Sequence, residues 1–278
     1  MKMRTETTNQ APVDLNNYKI LNEGLGGAYE RLLYSSMLHR IAQRFGCKRI
    51  LELNATHIAG IPGFNSCVLS QAGYDVTVAV KERDYADTCH VWELTGLKAN
   101  IVKIDRATAT SFKDKSFDMV WNHLAFDQYR DPKPLVAEMK RISKTAVVTL
   151  TLSPYNYGYW IHQLSHRMYK QEWDHGYPKL GTIAAQEKVH RELGLRVVEH
   201  GACDAPPWMD TVNAQIGESM TYMDAFPKAV RNNWVWCSAD KRCQEHWMVK
   251  MFGGWEEEMP LWFKQLAAHH LYVASVKQ

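Results

Sequence analysis

No apolar run in this 278-residue chain approaches the roughly 18 residues of a membrane span, so no transmembrane segment is expected. The first residues, MKMRTETTNQAPVDLNN, hold no apolar core, which argues against a secretory signal. Neither sign of charge dominates. Thirty-three Lys and Arg against 30 Asp and Glu leave a net +3, and that gives no reason to expect nucleic acid or an acidic membrane as a partner. Cysteine is sparse: six residues scattered over the chain make no disulfide framework and read as reduced thiols of a cytoplasmic protein. There is no internal repeat and no low-complexity tract. A 46% hydrophobic and 23% charged composition excludes disorder, collagen and coiled coil as the organising principle. At roughly 150 residues per domain the length allows one or two domains.

What is present is a regular alternation. Apolar residues recur at helical spacing from Leu25 to Phe45, and Gly46 stops that helix. Short apolar or β-branched runs follow at 49–53 (RILEL), 75–80 (DVTVAV), 100–104, 117–121 (FDMVW) and 145–152 (TAVVTLTL). Between them lie helical stretches at 63–72, 83–95 and 133–142, the first two closed by Gly73 and Gly96. A helix at 181–193 and strands at 195–203 and 270–276 complete the pattern. Strands alternating with helices mean βαβ units and a parallel sheet covered on both faces.

Two stretches break this texture. Residues 153–180 contain Tyr155, Tyr157, Tyr159, Trp160, Tyr169, Trp173 and Tyr177, and residues 204–266 are again rich in aromatics. Eight of the ten Trp lie after residue 155, so the aromatic material is concentrated in these stretches rather than spread through the sheet. Both follow carboxyl ends of strands, where ligands bind in open α/β sheets. The organisation expected is an N-terminal segment over 1–24 and one domain over 25–278 with two lid insertions, rather than two separate domains.

Three stretches carry a resemblance to the class I S-adenosylmethionine-dependent methyltransferases. A helix leads into RILEL, a turn, a helix and AGYDVTVAV; KIDRATATSFKDKSFDMVWNHLAF is similar to the family's third and fourth strands; and DPKPLVAEMKRISKTAVVTL is close to its helix and fifth strand. The resemblance covers about residues 25–203 plus the last strand. It implies an α/β Rossmann-like methyltransferase sheet of six parallel strands and one antiparallel strand, with helical, aromatic-rich lid insertions, and S-adenosylmethionine as cofactor.

The family places an acid and a glycine-rich turn after its first strand. Glu52 stands at the acidic position, while Asn54, Thr56 and Ile58 replace the glycines. Asn tolerates left-handed backbone; β-branched Thr and Ile do not. The turn is therefore expected to be redrawn around Gly60 and Gly63. The ribose-binding acid expected at the end of strand two falls at Val80. Glu82 either substitutes for it or is an exposed helix-start carboxylate. Asp105 is either near the adenine or a turn residue, and Asn122 and His123 follow strand four, where the family lines the methionine or acceptor. The resemblance thus implies Glu52, Asn54, Gly60, Glu82, Asp105 and Asn122 on the cofactor side, and His123, Tyr155, Tyr157 and His162 on the acceptor side.

No resident metal is expected. His162 and His166 share a helix face, a spacing that can bind a metal, but two ligands alone do not make a site; Cys237, Cys243 and His246 lack the tight C-x-x-C spacing of zinc sites, and whether either group binds a metal is left open. Lys81 and Arg83 resemble residues that accept a 2′-phosphate in NADP enzymes, yet strand four runs on as Trp121-Asn122-His123-Leu124 and not as that family's Asn-rich end. The expected activity is methyl transfer to a small or lipid-like acceptor. The alternative is a methyltransferase-like protein without catalysis, acting as a binding or partner subunit. A membrane-surface role rests only on the Trp and Met residues of the insertions. The acceptor and the oligomeric state are left open.

Overall fold

Runs of Val, Ile, Leu and Thr pair as strands of a single sheet in the computed structural model, which describes residues 21–56, 61, 63–170, 172–173, 176–206 and 236–277. Helix α1 (Gly24–Arg44) leads into β1 (Arg49–Leu53). Then come α2 (Cys67–Gln71), β2 (Asp75–Val80), α3 (Glu82–Thr95), β3 (Asn100–Lys103) and β4 (Phe117–His123). The second half is α4 (Lys133–Ile142), β5 (Ser143–Leu152), α5 (Tyr157–Met168), α6 (Ile183–Glu192), β6 (Leu195–Cys203) and β7 (His270–Lys277). Between β6 and β7 the described helices are α7 (Lys241–Gln244), α8 (Trp247–Glu258) and α9 (Leu261–Ala267).

The strand order is β3-β2-β1-β4-β5-β7-β6. Strands β1 to β5 pair in parallel, and β7 runs antiparallel to both β5 and β6. This is the expected sheet of six strands in one direction and one reversed. Both faces are covered, which is why its central strands read as unbroken apolar runs. Ile50, Val78, Met119 and Val148 pack in one layer with Tyr34, Leu38 and Ile41 of α1. Leu51, Ala79, Val120 and Val147 pack in the opposite layer with Leu135, Val136 and Met139 of α4.

Two boundaries differ from the periodicity in ways that bear on the site. The helix expected from residue 63 begins only at Cys67. Gly63 sits at φ +55 with its carbonyl accepting a hydrogen bond from Trp92 Nε1 at 2.8 Å, and residues 63–66 form a turn instead. Strand β4 runs two residues past Trp121, because Asn122 and His123 pair with Thr149 and Leu150 of β5.

The insertions leave the sheet after β5 and β6, and β7 starts from the same end because it is reversed. They touch one another there. Ser153 N donates to the His269 carbonyl (2.7 Å), and Asn156 Nδ2 donates to that of Ala267 (2.7 Å). Residues 207–235 of the second aromatic stretch lie outside the described residues.

Candidate active site

At the end of β1 the chain turns at Asn54, whose φ is 56°. Of the residues standing at glycine positions, Asn is the one whose short amide suits this region. Ala55 N donates to the Ala79 carbonyl (2.9 Å), so the β1–β2 ladder persists one residue further. Thr56 Oγ1 then bridges to β4, lying 2.9 Å from His123 Nδ1 and 3.4 Å from its carbonyl oxygen. His57, Ile58 and Gly60 fall outside the described residues.

Glu52 is fully buried beneath this turn. Its two oxygens accept from Asn65 Nδ2 (2.6 Å) and Ser66 Oγ (2.7 Å). Both donors are presented by the turn over residues 63–66. Burial pushes the Glu52 carboxyl up to about 7, although these hydrogen bonds pull the other way. Asn122 is likewise committed to the protein: Nδ2 donates to the Leu53 carbonyl (2.6 Å) and Oδ1 accepts from Ala125 N (3.0 Å). It ties the end of β4 to the end of β1. Glu82 opens α3 with an exposed side chain paired to Lys103 at 2.7 Å, and Asp105 is exposed just after β3. Of these residues, Glu52 and Asn122 are buried at the ends of β1 and β4, and Glu82 and Asp105 face solvent just after β2 and β3.

Beside them lies a buried polar cluster. His123 packs against the Tyr34 ring at 5.2 Å and against the His270 ring at 5.1 Å. His123 Nε2 and His270 Nε2 both approach the same oxygen of Glu30, at 3.3 and 3.2 Å. Asp204 Oδ2 lies 2.7 Å from His269 Nδ1 and 3.7 Å from His270 Nδ1. Burial, then the neighbouring His270 and Arg31, hold the His123 imidazole well below its ordinary pKa. Burial opposes charge on His270 as well, but Glu30 and Asp204 outweigh it and hold that imidazole above its ordinary value. The sequence singled out His123 but not Glu30, Tyr34 or His270. These come from α1 and from the start of β7, far apart in the chain, and no local pattern marks them.

On the insertion side, Tyr155 and Tyr157 are exposed at the start of α5. His162 belongs to α5, but its side chain lies outside the described residues. His166 Nδ1 lies 2.8 Å from the Glu172 carbonyl. Cys243 Sγ accepts from Cys237 N (3.2 Å), and the His246 side chain caps α8 by accepting from Met248 N (3.3 Å). These contacts give both groups structural work at helix ends and turns.

Comparison with known proteins fits this arrangement. Residues 59–148 match the family described as "Methyltransferase domain". No curated protein matches the chain. Among solved structures, magnesium protoporphyrin IX methyltransferase from Synechocystis PCC 6803, with bound SAH, is similar at a TM-score of 0.52 and 10% identity, over 97% of this chain and 90% of that one. A SAM-dependent methyltransferase from Archaeoglobus fulgidus is similar at 0.49 and 15%, over 88% and 93%. Another from Aquifex aeolicus is similar at 0.45 and 17%, over 68% and 92%. Of these three the first alone exceeds 0.5, and at its identity it speaks to the fold alone.

Proposed function

We propose that this chain is a class I S-adenosylmethionine-dependent methyltransferase that transfers a methyl group to a small or lipid-like acceptor, a reading that its strand order and the domain match support. The observation that supports this most is where the domain match falls. Residues 59–148 take in the second half of the first turn, the strand ends bearing Glu82 and Asp105, and Asn122 and His123.

The residues present fit an adenosyl sulfonium. Glu82 and Asp105 offer carboxylates at adjacent strand ends for the ribose hydroxyls and the adenine. Asn54, Thr56 and Gly60 belong to the turn that meets the methionine end, Glu52 supplies negative charge beneath it, and Asn122 fixes the turn to β4. The cofactor brings a methyl group already activated on a cationic sulfur, so the protein's share is alignment and proton removal. His123, buried at the end of β4, meets the turn through Thr56 on the acceptor side. Tyr155, Tyr157 and His162 stand on the acceptor side. The α5 face bearing Trp160, Leu164 and Met168 is exposed and apolar, which suits a lipid-like acceptor. No helix among the described residues is long and apolar enough to cross a membrane. Cytoplasmic placement rests on the six free thiols.

A second reading, a non-catalytic binding or partner protein, is favoured by one specific observation. Both Glu52 oxygens and both polar atoms of the Asn122 amide are already bonded within the protein. Isothermal titration with S-adenosylmethionine and its demethylated product separates the two. The enzyme reading expects both to bind and Glu82→Ala with Asp105→Ala to weaken them; no binding to the native protein leaves the partner reading.

A further inference from the structure

Buried polar atoms without a hydrogen-bond partner are uncommon and expensive. In this protein two gather at one place: His123 Nε2 and His270 Nε2 lie 3.3 and 3.2 Å from one Glu30 oxygen without hydrogen bonds of normal geometry. His123 and His270 are almost wholly buried. We propose that Glu30, His123 and His270 form a binding site for a zinc ion.

The geometry is that of a metal shell. The Glu30, His123 and His270 ligand atoms all lie within 4.8 Å of one another, and among the described residues this is the one such grouping of three His, Cys, Asp or Glu. Zinc held tetrahedrally by nitrogen and oxygen at ordinary bond lengths sets ligand–ligand edges of about 3.3 Å. An octahedral ion at similar bond lengths sets about 3.0 Å. The Glu30 oxygen is 3.3 Å from His123 Nε2 and 3.2 Å from His270 Nε2, two edges of the length a tetrahedral ion sets.

The second layer points the same way. Thr56 Oγ1 lies against both the carbonyl and Nδ1 of His123. A hydroxyl that donates to the carbonyl accepts from Nδ1–H, and that tautomer leaves the Nε2 lone pair facing Glu30. Asp204 stands on the Nδ1 side of His270 and so favours a proton there. An ion that displaces the Nε2 proton of His270 then meets two lone pairs and a carboxylate. Two histidines and one glutamate leave the fourth zinc position to water or to an oxygen, nitrogen or sulfur atom of a bound molecule. The charged groups around this centre are Asp204, His269, Arg31 and Asp127.

The test needs neither S-adenosylmethionine nor an acceptor, so it stands or falls apart from the methyl-transfer reading. Full-length protein stripped with a chelator is titrated with zinc, and metal content is measured after desalting. A single equivalent is expected, with Glu30→Gln and His270→Gln each weakening affinity by about tenfold or more. The double variant His166→Ala, Cys243→Ser is expected to bind as the native protein does. Cobalt substitution of the native protein, which requires no variant to fold, should give the visible bands of a tetrahedral nitrogen–oxygen site. Failure of the native protein to retain zinc, unchanged affinity in folded Glu30→Gln, or a sulfur-to-cobalt charge-transfer band would each overturn the proposal.

Discussion

A carboxyl group held near pH 7 by burial, as Glu52 is, binds its proton more tightly in the folded chain than in the unfolded one. Its contribution to stability is complete below its ordinary value of 4.5 and is lost as pH rises through about 7. Glu52→Gln removes that titration and keeps an acceptor for Asn65. Urea unfolding across this range should therefore show a flatter pH profile in the variant, by on the order of 3 kcal/mol. An unchanged slope would place the titration elsewhere. A cationic ligand bound beside Glu52 draws the proton away. S-adenosylmethionine affinity is thus expected to rise between about pH 6 and 8 in the native protein and to lose that dependence in Glu52→Gln. Gly63 makes a second residue-scale case. A Cβ there meets Thr88 Cγ2 at 2.6 Å, and the φ of +55 is costly for any L side chain. Gly63→Ala should destabilise by about 2 kcal/mol or more. Adding Thr88→Ala should relieve the contact but not the backbone strain, so a double-mutant cycle by urea unfolding gives partial, not full, recovery.

Helix α4 was legible to the residue in the sequence, because Asp131-Pro132 marks its start and its apolar residues keep strict helical spacing. In the structure that stretch also holds the preceding loop. Glu138 accepts from the Thr110 backbone N (2.7 Å), the Thr110 hydroxyl (2.5 Å) and Arg141, and Arg141 reaches on to Asp114 (2.6 Å). The motif is a clamp on the loop between β3 and β4. Glu138→Ala leaves the Thr110 N–H without its acceptor and should cost about 2 kcal/mol in thermal or urea unfolding. Strand elements were equally legible, since burial on both faces writes itself as Val and Ile runs. The site was legible only where it is local. Asn54 announced its left-handed turn, whereas Glu30 and His270 meet His123 only through the packing of α1 and the reversal of β7. On α5, Trp160, Leu164 and Met168 share one exposed face. Trp160→Ser with Leu164→Ser should leave stability within about 1 kcal/mol. The same change should weaken capture of a lipid-like acceptor, measured as a rise in KM with kcat kept.

The molecule as a whole is closed by its last third. Glu256 of α8 is buried and accepts from the Tyr29 hydroxyl of α1 (3.1 Å) and from the backbone N–H groups of Asp204 and Ala205 after β6 (2.9 and 2.8 Å). One carboxylate therefore joins the first helix, the exit of β6 and the second insertion. The cysteines report on this joint. All but Cys89 are buried; Cys243 lies with Leu25, Ala28 and Tyr29 against α8, while Cys47 and Cys67 lie in the main layer between α1 and the sheet. Glu256→Ala removes the shared acceptor of three donors at once and should cost about 3 kcal/mol. Tyr29→Phe loses one bond and should cost about 1 kcal/mol. Local opening of this joint exposes Cys243 before the sheet loosens. Thiol labelling under native conditions should accordingly mark Cys89 first in the native protein and add Cys243 in Glu256→Ala, with Cys47 and Cys67 still protected. Equal acceleration at all buried thiols would mean that the joint and the sheet unfold as one cooperative unit.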